Sequence, residues 1–91
     1  MIVKHSVATV IDRITSYEAE SRYSLLDRMR SDCEYFLGYG NRCERYLWGK
    51  EVQEHIVYMK ALWLSFPMSG KPKWLSFKEI EAYEKQMLEK R

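Results

Sequence analysis

Residues 51–67 read EVQEHIVYMKALWLSFP, and this stretch decides the fold class. Val52, Ile56, Met59, Trp63 and Phe66 recur three and four apart, which is the spacing of one helix face. Val57, Tyr58, Ala61, Leu62 and Leu64 make the second half apolar almost all round. A helix of that kind belongs in the middle of a small bundle or in a dimer interface. Pro67 ends it, because proline has no N–H to donate and its ring clashes with the preceding turn. The predicted helix spans about 51–66.

Upstream, Leu25/Leu26, Met29, Cys33 and Phe36/Leu37 form a second stripe, with Asp27, Arg30, Ser31 and Glu34 opposite. Thr15-Ser16-Tyr17-Glu18 has capping-box form and is expected to open this helix, which runs about 16–37. Glu18 and Arg22 then form a favourable i,i+4 pair. Gly38 is expected to stop the helix by taking the left-handed conformation. Asn41 is expected to cap a short helix over 42–48, which Gly49 ends. Downstream, the loop 67–72 precedes a second capping box, Ser76-Phe77-Lys78-Glu79. It opens a helix of about 76–90 whose apolar face is Phe77, Ile80, Tyr83 and Met87. The basic end, Lys90 and Arg91, complements the helix dipole. Residues 1–14 are ambiguous. Val3, Val7, Val10, Ile11 and Ile14 follow helical spacing, but β-branched residues suit a strand equally well.

The expected fold is therefore all-α: a small bundle of three main helices, one short helix, and an N-terminal helix or strand. Residues 1–14 form an extension and 15–91 a single helical domain. The 91 residues leave no room for a nucleotide-binding α/β fold or a barrel enzyme. Hydrophobic residues at 46% exclude a disordered chain.

Fifteen Lys+Arg against 13 Asp+Glu give +2, too small a balance to announce a nucleic acid or a membrane. The start, MIVKHSVATVIDRI, lacks the uninterrupted apolar core of a signal peptide. The longest apolar stretch, Ile56 to Leu64, is about half a bilayer span and carries Lys60. With Cys33 and Cys43 the only cysteines, a cytosolic chain with reduced thiols is expected.

The chemistry-bearing residues are few. Cys33, Cys43 and His55, with His5 as a distant fourth, match no ligand spacing of a zinc site. Neither cysteine has a nucleophile signature beside it, and Glu51/Glu54 and Asp32/Glu34 read as solvated helix carboxylates. No enzyme, metal or cofactor is expected. The turn Gly38-Tyr39-Gly40-Asn41-Arg42 reads either as a plain turn or as an anion cradle at a helix start. No Asp or Glu occurs from His55 to Lys78, where Lys60, Lys71, Lys73 and Lys78 alternate with Tyr58, Trp63, Trp74 and Phe77. That interleaving suits single-stranded nucleic acid, although Trp63 also belongs to a core stripe. The segment 39–48 concentrates Tyr39, Arg42, Arg45, Tyr46 and Trp48, residue types enriched at interface hot spots. Tyr39, Asn41, Arg42, Arg45 and Trp48 are the expected contact residues for a protein partner. A homodimer through the apolar helix 51–66 is the plainer alternative.

A family resemblance rests on YSLLDRMRSDCEYFLG at 23–38, then Gly40-Asn41-Arg42, Leu47-Trp48 and His55-Ile56. It continues through Lys71-Pro72-Lys73-Trp74-Leu75 and Ile80-Glu81-Ala82-Tyr83. Asp32 to Gly38 followed by Gly40-Asn41-Arg42 is its most specific part. Together these resemble the large polyvalent protein-associated domains of the eleventh type over roughly Thr15 to Met87. The resemblance implies an accessory module of phages and conjugative elements, with no catalytic residue to carry over. It implies a bacterial setting and action by stoichiometric binding to a host target, such as a CRISPR effector. A sponge for defence signalling nucleotides and a DNA- or RNA-binding module are the alternatives.

Overall fold

A computed structural model of the chain describes residues 6–89. His5, Lys90 and Arg91 lie outside the described residues. Among the described residues four helices follow in order: α1 (Val7–Thr15), α2 (Ala19–Leu37), α3 (Val52–Ser65) and α4 (Phe77–Leu88). Single 3-10 turns at Glu44–Tyr46 and Met68–Gly70 lie in the two connections flanking α3, and no strand occurs among the described residues.

The nearly all-round apolar character of α3 has its explanation in position. It packs against α1, α2 and α4, so it is the hub of the bundle. His55, Ile56, Met59 and Leu62 are fully buried on it, against Leu26, Met29 and Cys33 of α2 and Ile80 of α4. Each connection adds one buried leucine, Leu47 before α3 and Leu75 after it. On the solvent side of α3, Val57 and Leu64 remain exposed.

Val3 lies outside the described residues, and the rest of the ambiguous start forms the helix α1 from Val7. Ser6 caps it by accepting from the Thr9 N–H, and Val10 and Ile14 enter the common core. This settles the capping of α2 differently from expectation. The Thr15 hydroxyl donates to Ile11 O inside α1, and the Ser16 hydroxyl donates to Arg13 O. The Thr15–Glu18 box therefore does not form. Glu18 is the N-cap of α2, without a side-chain bond, and the helix begins at Ala19. Arg22 is drawn away from a surface pair. Its guanidinium donates to Tyr17 O and to the Ser65 hydroxyl, and it lies 4.8 Å from the Phe66 ring. Tyr23 stacks on Phe66, with centroids 4.1 Å apart.

The second capping box forms as read, with Ser76 accepting from Glu79 N–H and Glu79 accepting from Ser76 N–H. The short helix expected over 42–48 is reduced to the single turn Glu44–Tyr46. Gly38 ends α2 with φ −106, not in the left-handed region. The left-handed residues are Asn41 (φ 52), Arg42 (φ 56) and Lys50 (φ 70).

Candidate functional site

The connection from Gly38 to Glu51, here called the joint, carries all five contact residues expected from sequence. Its backbone first satisfies the orphan carbonyls that every helix end leaves. Gly38 N–H donates to Glu34 O and Tyr35 O, Gly40 N–H to Tyr35 O, and Arg42 N–H to Phe36 O. Gly40 is required by close approach, since a Cβ there would lie 2.8 Å from Tyr35 O and from its ring. Two successive left-handed residues then reverse the chain. Asparagine tolerates that conformation, and arginine adopts it at a cost.

Arg42 is held by what its side chain reaches. Its Nη2 lies 2.9 Å from Gln86 O, 2.9 Å from Met87 O and 2.7 Å from Glu89 O. It thus caps the carbonyl end of α4, where the helix dipole favours a cation. The guanidinium also sits 5.3 Å from the Phe36 ring centroid.

Three further ties pin the joint to the bundle. The Trp48 N–H donates to Asp32 Oδ2 at 2.9 Å. The Val52 N–H donates to Glu44 Oε2 at 2.7 Å, so Glu44 caps the start of α3 across eight residues. The Gly49 N–H donates to His55 Nδ1 at 3.0 Å, which leaves the other ring nitrogen, Nε2, to donate to Met29 O at 3.0 Å. Burial pushes the His55 pKa down, so the ring stays neutral and can accept at Nδ1.

The structure thus splits the five residues. Arg42 is spent on α4. Trp48 is half-buried, its ring edge-on to Tyr58 at 5.9 Å. Tyr39, Asn41 and Arg45 face solvent, Tyr39 at 93% exposure. Beside them lie Tyr46, already named in the sequence, and Tyr35, which the structure adds, both about half-exposed and packed edge-to-face at 5.5 Å. Arg45 lies 5.4 Å from the Tyr46 ring. Tyr35 carries a sequence signal that the stripe reading passed over, an aromatic on the polar face of α2. Glu44, Asp32 and His55 carry none, because their partners are fixed by the tertiary fold.

The other candidates are distributed differently. Of the N–H groups of the turn 38–42 that would cradle an anion, those of Gly38, Gly40 and Arg42 already donate to protein carbonyls. Lys60 bonds Glu84 at 2.9 Å, and Lys71 Nζ donates to Trp63 O, Leu64 O and Phe66 O. Of the four lysines only Lys73 and Lys78 are exposed. Trp63 is half-buried and donates to Leu75 O, whereas Trp74 is 42% exposed beneath Arg30. Among the described residues no three His, Cys, Asp or Glu groups converge on a metal position. The Cys33 thiol, packed 3.6 Å from Met59 Sδ, is pushed up to about 12 by burial, so it stays protonated. The carboxylates of Asp32 and Glu34 are drawn onto Trp48 N–H and the Tyr83 hydroxyl.

Comparison with known proteins adds one finding. The family model of large polyvalent protein-associated domain 11 matches residues 19–87. The chain belongs to that family. In this member the match begins at the first residue of α2 and ends in the last turn of α4. The family therefore spans α2 to α4 with the whole joint, and α1 lies outside the match. No curated protein and no solved structure matches the chain. Among the described residues no helix is long and apolar enough to cross a membrane.

Proposed function

We propose that this polyvalent-protein-associated domain is a non-enzymatic binding protein of a phage or mobile element. It acts in the cytosol of a bacterial host by stoichiometric binding, and its target is a defence effector of the CRISPR nuclease type. The observation that carries the reading is the contrast inside the joint. Its backbone is tied to α2 and α3 and its Arg42 side chain to α4, yet Tyr39 is almost wholly exposed beside Tyr35, Tyr46 and Arg45. A rigid platform with tyrosine and arginine outermost loses little conformational freedom on binding and offers hot-spot side chains. The contact set of this proposal is Tyr35, Tyr39, Asn41, Arg45 and Tyr46. The nucleotide and nucleic-acid readings draw less support, since three N–H groups of the turn and two of the four lysines are occupied within the chain.

The test is phage plaquing on a host with an active CRISPR system, with the protein supplied in trans. Tyr39→Ala with Arg45→Ala is expected to abolish protection of the phage while leaving the thermal midpoint unchanged. Full protection by that double variant would sink the proposal. Arg42→Ala is not a clean probe, because it removes the cap of α4.

A further inference from the structure

Three arginines of this chain are spent on the fold. Arg22 donates to the Ser65 hydroxyl, Arg30 pairs with Asp27 at 2.6 Å, and Arg42 caps α4. Arg45 is different. It is exposed, and among the described residues no carboxylate pairs with it. The groups that act on its charge are Tyr46 and Cys43, not an Asp or a Glu. Residues 1–5, 90 and 91 contain no Asp or Glu either. The carboxylates between residues 32 and 46 are Asp32, Glu34 and Glu44, and each has another partner. They accept from the Trp48 N–H, the Tyr83 hydroxyl and the Val52 N–H. The Arg45 guanidinium lies 5.4 Å from the Tyr46 ring centroid. A ring contact orients the planar group and leaves most of its N–H donors for a carboxylate.

We propose that the outer face of the joint selects a carboxylate-bearing patch on a protein partner, with Arg45 as the residue that reads the charge. Arginine takes a carboxylate through two parallel N–H···O bonds. The tyrosines beside it, Tyr35, Tyr39 and Tyr46, supply ring surface that keeps water from the pair. A single-stranded nucleic acid is also anionic, but it is held by a row of cations that track successive phosphates. This face sets one cation among three tyrosines, which fits an isolated acidic patch instead. The inference rests on reading the joint as a contact surface, and adds the charge of what it contacts.

The experiment follows amide and arginine side-chain resonances of the isotope-labelled full chain by NMR. The probes are a peptide alternating glutamate with serine, a peptide alternating lysine with serine, and oligothymidine. The glutamate peptide is expected to move the Arg45 side-chain signal and the Tyr39 and Tyr46 amides. It should bind about fivefold more tightly than the lysine peptide, the scale of one exposed ion pair. Added salt should weaken it. Arg45→Gln, which keeps a polar side chain without the charge, should remove the preference, and Arg45→Glu should reverse it. Both changes fall on an exposed side chain, so the thermal midpoint should stay in place. The inference is overturned if neither peptide moves those signals, if the lysine peptide binds as tightly as the glutamate peptide, or if Arg45→Glu keeps the wild-type preference. Tighter binding of oligothymidine than of the glutamate peptide at this face overturns it as well. The titration decides this inference and plaquing decides the proposed function. A reversed peptide preference in Arg45→Glu without phage protection by the wild type removes only the proposed function. Loss of protection in the Tyr39/Arg45 variant with no peptide preference removes only the acidic partner.

Discussion

Arg42, in the joint before α3, and Lys71, in the loop after it, both spend their charge on the carbonyl end of a helix. Lys71 caps the helix it follows, reaching back five to eight residues to Trp63, Leu64 and Phe66. Arg42 caps a helix that lies 44 to 47 residues ahead. The loop thus finishes a local element, and the joint fastens separate parts of the bundle. The difference teaches where a binding face can be mounted. Both connections have a long-range tie to α2, the Trp48 N–H to Asp32 in the joint and the Tyr23 hydroxyl to Gly70 O in the loop, and the joint adds the Arg42 bonds to the end of α4, which hold its outward side chains in place.

The sharpest way to break the contrast is at glycine. A Cβ on Gly49 would lie 2.6 Å from His55 Cα and 2.8 Å from His55 N, both backbone atoms. Gly49→Ala is expected to cost about 3 kcal/mol in urea unfolding, the upper range for forced overpacking. A Cβ on Gly70 meets only the Tyr23 hydroxyl at 3.2 Å and the Pro67 ring at 3.3 Å. Gly70→Ala is expected to cost under about 1 kcal/mol. Equal losses would erase the distinction between the two connections.

Truncating the caps sharpens it. Arg42→Ala is expected to cost about 2 kcal/mol, the scale for losing hydrogen bonds to a charged donor. Lys71→Ala is expected to cost about 1 kcal/mol, because water can replace an ammonium at a partly exposed helix end. Amide hydrogen exchange reads the reach directly. Arg42→Ala should speed exchange at the end of α4, and Lys71→Ala only at the end of α3.

The smallest expected effect is on pH. The folded state lowers the pKa of His55 below its ordinary 6.5 through burial. Below that value the unfolded chain binds a proton that the native ring refuses, so stability falls as the pH drops through 6.5. It stops falling once the pH passes below the native pKa. The urea midpoint of the wild type should be lower at pH 5.5 than at pH 7.5. His55→Gln, which lacks the titrating ring, should lose most of that difference.

The sequence exposes what repeats locally. The stripes of α2, α3 and α4, the stop at Pro67 and the Ser76–Glu79 box are all properties of neighbouring residues, and each could be read. The Thr15 box failed because α1 used both hydroxyls in its own last turn, a competition between two adjacent helices. The direction of Arg42 was not legible, since nothing near residue 42 signals a carbonyl cluster at residues 86–89. Tyr39 was legible as an outward-facing residue because a tyrosine between two turn glycines has no stripe to join. Tyr35 was hidden by its neighbour Phe36, whose core position dominated the reading of that turn.

The Arg42 clasp also has a kinetic consequence. Closing a chain loop of some 45 residues costs about 2 kcal/mol more entropy than closing the Lys71 loop, by the logarithmic growth of closure cost. The joint can therefore be completed only after α3 and α4 have been gathered. Its outer tyrosines thus stand on a segment whose last tie exists only once the end of α4 is in place.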